Sequence, residues 1–181
     1  MSAEEAAARV EQRWAVVSIS IIAMMVFLAT FAGVHQATMP QPRLELADPR
    51  TLHIEGEFIE SNLGSALEPD GSVTVRILGQ QYSFTPQCIV VPTNTLVTFR
   101  AASADVVHGF LIQNTNVNLM LVPGYVSSLS ARFTKPAGSH MPCHEYCGTG
   151  HEGMWANVHV IDKAEFLALA RQQRRVSCVA K

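Results

Sequence analysis

The sequence predicts an all-β domain, a sandwich or closed barrel, carried on one N-terminal apolar helix and followed by a short C-terminal helix. Three observations predict it. Seven short runs rich in β-branched or aromatic residues lie between residues 72 and 162, separated by turn chemistry. A charge-free stretch of 21 residues spans 14–34. Helical periodicity recurs only at 163–174, where Phe166, Leu167 and Ala170 share one side.

At 181 residues the chain holds one ordinary domain with appendages. Hydrophobic residues make up 48% and charged residues 15%, with a mean hydropathy of +0.17, which argues against disorder and for a segment that leaves water. Lys and Arg number 13 against 15 Asp and Glu, a formal charge of −2. No basic field exists to hold a polyanion, so nucleic acid is not an expected partner.

From Trp14 to Val34, WAVVSISIIAMMVFLATFAGV is long enough as a helix to cross the roughly 30 Å of hydrocarbon in a bilayer. The competing reading is a cleaved signal peptide, whose apolar region is usually about 7–15 residues and follows a basic segment. Glu4, Glu5 and Glu11 precede this run, which favours an anchor in membrane lipid. Charge barely orients it, because Arg9 and Arg13 before the helix are matched by Arg43 and Arg50 after it. Pro40, Pro42 and Pro49 make 35–50 an extended linker. The expected organisation is 1–13 N-terminus, 14–34 anchor, 35–50 linker, 51–162 β-domain and 163–181 C-terminal helix and tail.

The expected strands lie in 72–84, 88–92, 95–103, 106–113, 117–123, 126–134 and 154–162. Pro-Thr-Asn, Pro-Gly-Tyr and Pro-Ala-Gly supply turns between them. The stretch 61–71 reads as a connection only. Arg171, Arg174, Arg175 and Lys181 read as a solvated C-terminus favourable to the helix dipole. Cys88 and Cys178, far apart in sequence, read as free or incidental thiols, with pairing as the other reading.

Residues 142–155, PCHEYCGTGHEGMW, place Cys143, Cys147, His151 and Met154 in a C-x3-C-x3-H-x2-M pattern. Thiolate, imidazole and thioether are soft donors that favour copper over hard cations, and structural zinc sites rarely recruit methionine. A mononuclear blue-copper site uses one cysteine and two histidines, so two thiolates here suit a pair of copper ions if a second histidine arrives from a neighbouring strand. His108, set in SADVVHGFLI, is the candidate; alone it would read as a satisfied core histidine. The other reading of Cys143 and Cys147 is a disulfide in an oxidising compartment.

Asp105-Val106-Val107-His108-Gly109-Phe110, Thr115-Asn116-Val117-Asn118, Val122-Pro123-Gly124 and the loop from Cys143 to Met154 resemble subunit II of the haem-copper oxidases. With the anchor, the resemblance covers residues 10 to 162. It implies a cupredoxin-like Greek-key β-barrel or sandwich holding the binuclear copper A centre. Carried over by residue, Cys143 and Cys147 become bridging thiolates, and His108 and His151 each bind one copper. Met154 and the backbone carbonyl of Glu145 become weak axial ligands. The resemblance also implies a magnesium or manganese site near the Glu145 carboxylate, at the border with subunit I. It implies an electron-transfer subunit that does not itself reduce oxygen, fed by cytochrome c or another small periplasmic donor and feeding haem in subunit I. The setting would be a bacterial inner membrane, with residues 1–13 cytoplasmic and the β-domain periplasmic.

The sequence departs from larger relatives in having one helix and no tryptophan in Gly79-Gln80-Gln81-Tyr82-Ser83-Phe84. Tyr82 or Phe84 is then the aromatic beside the copper, unless both simply fill the barrel. Trp155 either shields the site from water or is a buried strand tryptophan. His140 and His144 flank Cys143 as surrounding or surface residues, and His35, His53 and His159 show no ligand spacing. Two other functions compete: the same subunit attached to a nitric oxide reductase, and a membrane-anchored copper chaperone. The chaperone would be thioredoxin-like, with helices between its strands.

Overall fold

The computed structural model describes residues 2–36 and 44–178. These belong to two separate compact units, divided at Pro40, each described by itself. Pro40, Pro42, Arg43 and Lys181, read above as parts of the linker and tail, lie outside the described residues.

The first unit is the helix α1, Ala3–Gln36. It begins well before the apolar run because Ser2 and Glu5 cap it reciprocally: the Glu5 amide donates to Ser2 Oγ at 3.2 Å and the Ser2 amide to Glu5 Oε2 at 2.9 Å. The helix is apolar enough to cross a membrane, and its large side chains, Phe27 and Ile22 among them, are exposed. In water such a surface would be strongly unfavourable, whereas lipid solvates it.

The second unit is all-β. Its strands are β1 Gly64–Leu67, β2 Val73–Gln80, β3 Ser83–Thr85, β4 Cys88–Pro92, β5 Leu96–Ser103, β6 His108–Leu111, β7 Asn118–Leu121, β8 Ser127–Arg132, β9 Ala137–Pro142 and β10 Trp155–Ile161, followed by the helix α2, Lys163–Gln172. One sheet runs β1-β2-β5-β8, with β3 folded back on the end of β2; a second runs β4-β10-β9; β6 and β7 form a hairpin. Pairs β2–β5 and β4–β10 are parallel and the rest antiparallel.

Period-two patterning explains β10: Ala156, Val158 and Val160 point into the core, while Trp155, Asn157 and His159 are exposed. Between the sheets sit Val75, Ile77, Ile89, Val91, Phe99 and Val158, all fully buried. Each contributes about 1.5–3 kcal/mol of burial. Phe99 holds the aromatic centre, 5.6 Å from Phe110 and 6.2 Å edge-on from Phe133. Phe166 of α2, also fully buried, pins the terminal helix to this core.

Five elements differ from the sequence reading. Residues 72–84, expected as one strand, fold into the antiparallel hairpin of β2 and β3. Residues 61–71 are more than a connection, since they contain β1, whose Ser65 and Ala66 are buried against β2. Gly-Ser-Ala-Leu has little strand propensity; the free edge of β2 imposes the pairing. β9 is likewise unexpected, because Ala-Gly-Ser resembles a turn. The tail is only partly solvated: Arg171 and Arg174 are exposed, but Arg175 hydrogen-bonds to Asn62, Val176 is buried, and Val176 and Ser177 bridge to Ser65 and Ile89. Finally, Cys88 and Cys178 are not free thiols but a disulfide, with Cα atoms 5.4 Å apart.

Packing also reaches back to Glu45. The Ala47 amide donates to Gly124 O, and Leu46 bridges to Tyr125. On the outer face of β2 and β5, paired Arg76 and Arg100 share the Glu57 carboxylate, at 3.0 Å and 2.6 Å from their Nε atoms, and Arg100 also reaches Glu45. Hydrogen bonding to Glu57 is the main reason the Arg100 guanidinium is held more basic than usual, against burial. These ion pairs clamp the segment 45–58 onto the sheet, and Leu52 and Phe58 bury beneath it against Leu78.

Candidate metal centre

Two elements build the centre. His108 is the first residue of β6. The other candidate donors lie in the loop joining β9 to β10, whose ends are locked by the pairing of Pro142 with Trp155 and by the Cys143 amide donating to Met154 O at 3.0 Å. A short 3-10 turn, His151–Gly153, brings the chain back toward its start.

Inside this loop the predicted donors converge. His108 Nδ1 lies 3.8 Å from Cys143 Sγ, and the two sulfurs of Cys143 and Cys147 are 3.9 Å apart. Cys147 Sγ is 3.5 Å from His151 Nδ1 and 3.7 Å from Met154 Sδ. Cys143 Sγ is 3.2 Å from the backbone oxygen of Glu145. Both cysteines are reduced, and His108, Cys143, Cys147 and Met154 are all buried. Burial, then repulsion from the Cys143 sulfur, pushes the Cys147 thiol up to about 11. A metal ion reverses that balance, because a coordinating thiol loses its proton outright.

The His108 ring is oriented from behind. Its Nε2 meets Asp105 Oδ1 at 2.8 Å, and because a carboxylate only accepts, Nε2 is the donor, with Nδ1 turned toward the sulfurs. Burial raises the Asp105 carboxyl, but the Gln81 amide, the His108 ring and the Val106 amide outweigh it and hold the pKa below its ordinary value. Asp105 escaped the sequence reading as a functional residue, although its place three residues before His108 was the available signal.

The sequence profile of the cytochrome c oxidase subunit II periplasmic domain matches residues 73–161, from the start of β2 to the end of β10. A cytochrome c oxidase subunit 2 from one strain of Thermus thermophilus is 30% identical over 83% of this chain and 90% of its own length. A second from the same species is 31% identical, over 72% and 97%. This chain belongs to the cytochrome c oxidase subunit II family. A chain of a heme-copper terminal oxidase dimer solved by cryo-EM superposes with a TM-score of 0.61 at 25% identity, covering 82% of this chain and 99% of that one. Candidate Cys and His donors for a metal are therefore those of a subunit II, in an oxidoreductase complex that also contains a subunit I.

Within this subunit II fold the aromatic residues separate. Phe84 is fully buried in the core, 6.3 Å edge-on from Phe110. Tyr82 is 39% exposed and packs against the loop of candidate donors, so close that a Cβ on Gly150 would sit 2.7 Å from its ring. Trp155 faces outward from β10, half exposed, with Nε1 donating to Glu152 O at 2.7 Å, so it is not the buried strand tryptophan of the second reading. His140 pairs with Asn157 at 3.0 Å, and His144 packs over Gly109 at the surface. Among the described residues one other group could offer three donors, Cys88, Cys178 and His159, but its two sulfurs are bonded to each other.

Proposed function

We propose that this chain is the subunit through which electrons enter a respiratory terminal oxidase, with a binuclear copper A centre held by Cys143, Cys147, His108, His151, Met154 and the Glu145 carbonyl. The observation that carries the reading is the buried convergence of two reduced cysteines with His108 and Met154, closed by His151. Two thiolates, two imidazoles and a thioether form a soft set suited to copper, and hard cations would want oxygen. Copper bound there supplies a one-electron couple.

The chain's own part is to keep that couple dry and rigid. Val106 and Leu119 pack beside the core that encloses Met154 and both cysteines. Asp105 fixes the His108 ring, and the β9–β10 pairing fixes the loop ends. The donor would be cytochrome c or a similar small periplasmic protein, and the acceptor haem in subunit I. Residues 14–34 would span a bacterial inner membrane, with 1–13 cytoplasmic and the domain that follows periplasmic. The Glu145 carboxylate would join a magnesium or manganese site at the subunit I border.

The relatives carry the name of cytochrome c oxidase, which favours oxygen over nitric oxide as the terminal acceptor of the complex. A thioredoxin-like copper chaperone is disfavoured, since the described strands are separated by turns and, between β9 and β10, one 3-10 turn, with no α-helix between β1 and β10. The test is copper loading of the full chain in detergent. Two coppers per chain, with the unpaired electron shared between them in the mixed-valence form, is the expected result. One copper with the spectrum of an isolated blue site overturns the binuclear assignment.

A further inference from the structure

In the hairpin between β2 and β3, one residue makes two hydrogen bonds that reach opposite parts of the centre. Gln81 Nε2 donates to the backbone oxygen of Cys147 at 2.5 Å, and the Gln81 amide donates to Asp105 Oδ2 at 2.7 Å. Asp105 in turn holds His108 Nε2 through its other oxygen. A single residue is thus hydrogen-bonded to the loop that carries one cysteine and to the carboxylate that orients the histidine on the opposite side of the sulfurs. Next to it Tyr82 seals the same loop: a Cβ on Gly148 would lie 2.5 Å from Tyr82 Oη and 2.9 Å from Gln81 Nε2. Glycine at 148, with φ of +133°, permits both the backbone conformation and the close approach.

We infer that Gln81 is a positioning residue for the metal centre, tying the Cys147 backbone to the Asp105–His108 pair and so setting the spacing between the loop donors and the strand donor. The inference rests on the copper reading above. The loop donors come from the β9–β10 connection and His108 from β6, which belong to different sheets. Nothing in the covalent chain fixes their separation; cross-connections must. Partners one step behind a metal ligand typically change affinity by about 10–100-fold when removed.

The side-chain bond is removable without disturbing the amide bond to Asp105. Gln81→Leu keeps most of the volume, Gln81→Glu keeps the shape but turns the donor into an acceptor, and Gln80→Leu alters the neighbouring position of the same hairpin. Each full-length variant in detergent is loaded with copper, titrated against a chelator, and examined by electron paramagnetic resonance, with melting of the copper-free form as a folding control. Gln81→Leu and Gln81→Glu should lose about 10–100-fold in copper affinity. Both should keep two coppers per chain and show unequal sharing of the unpaired electron, while Gln80→Leu stays as the parent. Should Gln81→Leu fail to fold, the isosteric Gln81→Glu decides alone. Affinity within about threefold of the parent with an unchanged spectrum overturns the inference, as does an equal loss in Gln80→Leu. A parent chain that binds one copper instead marks failure of the underlying copper reading.

Discussion

Replacing both Cys88 and Cys178 by serine should destabilise the β-domain without removing its metal donors. The disulfide joins residues 90 apart in sequence. Loop-closure entropy for a ring of that span restricts the unfolded chain by about 4.6 kcal/mol at 25 °C, and measured removals usually cost about 2–4 kcal/mol. The lower part of that range applies here if the tail frays, yet Val176, the two backbone bridges and the Arg175–Asn62 bonds oppose fraying. For a domain of this size each kcal/mol lowers Tm by roughly 3–5 °C, so a fall of about 10 °C is expected. The assay is thermal unfolding of the copper-free chain followed by near-ultraviolet circular dichroism. Thiol alkylation runs beside it: of the four cysteines, two should react in the denatured unreduced chain and all four after reduction. Four reactive thiols before reduction, or a Tm within about 2 °C of the parent, would refute the reasoning.

The remaining predictions concern the centre and the anchor. Cys143→Ser or Cys147→Ser should each abolish the two-copper spectrum, because each sulfur lies within 4 Å of the other and of further donors. Met154→Leu should leave two coppers bound and shift the reduction potential, since an axial thioether tunes more than it holds; copper loss as complete as in the cysteine variants contradicts that role. A periplasm-active phosphatase fused after residue 50 should be active and a cytoplasm-only reporter there dark, whereas the reverse pattern puts the centre on the wrong side of the membrane.

What the sequence made legible depended on how locally each feature is encoded. The donors Cys143, Cys147, His151 and Met154 lie within twelve residues, so their spacing survives in the linear pattern, and the alternation in β10 announces its buried face. Gln81 and Asp105 act together only because two sheet connections meet, and glutamine in a hairpin carries no signal of its own. The Cys88–Cys178 bond was illegible for a similar reason: connectivity requires Cα atoms within about 7 Å, a fact of tertiary packing.

β9 shows how legible and illegible parts depend on one another. Its Ala-Gly-Ser stretch has weak strand propensity and would not form an extended edge alone. β10 has the strongest pattern in the domain, and because it is already paired with β4 on one side, its other edge offers a row of backbone groups that β9 completes. That imposed pairing sets Pro142 opposite Trp155, and so places Cys143 and Met154, at opposite ends of the donor loop, within one hydrogen bond of each other. The readable strand therefore folds the unreadable one, and the unreadable one closes the readable motif into a site.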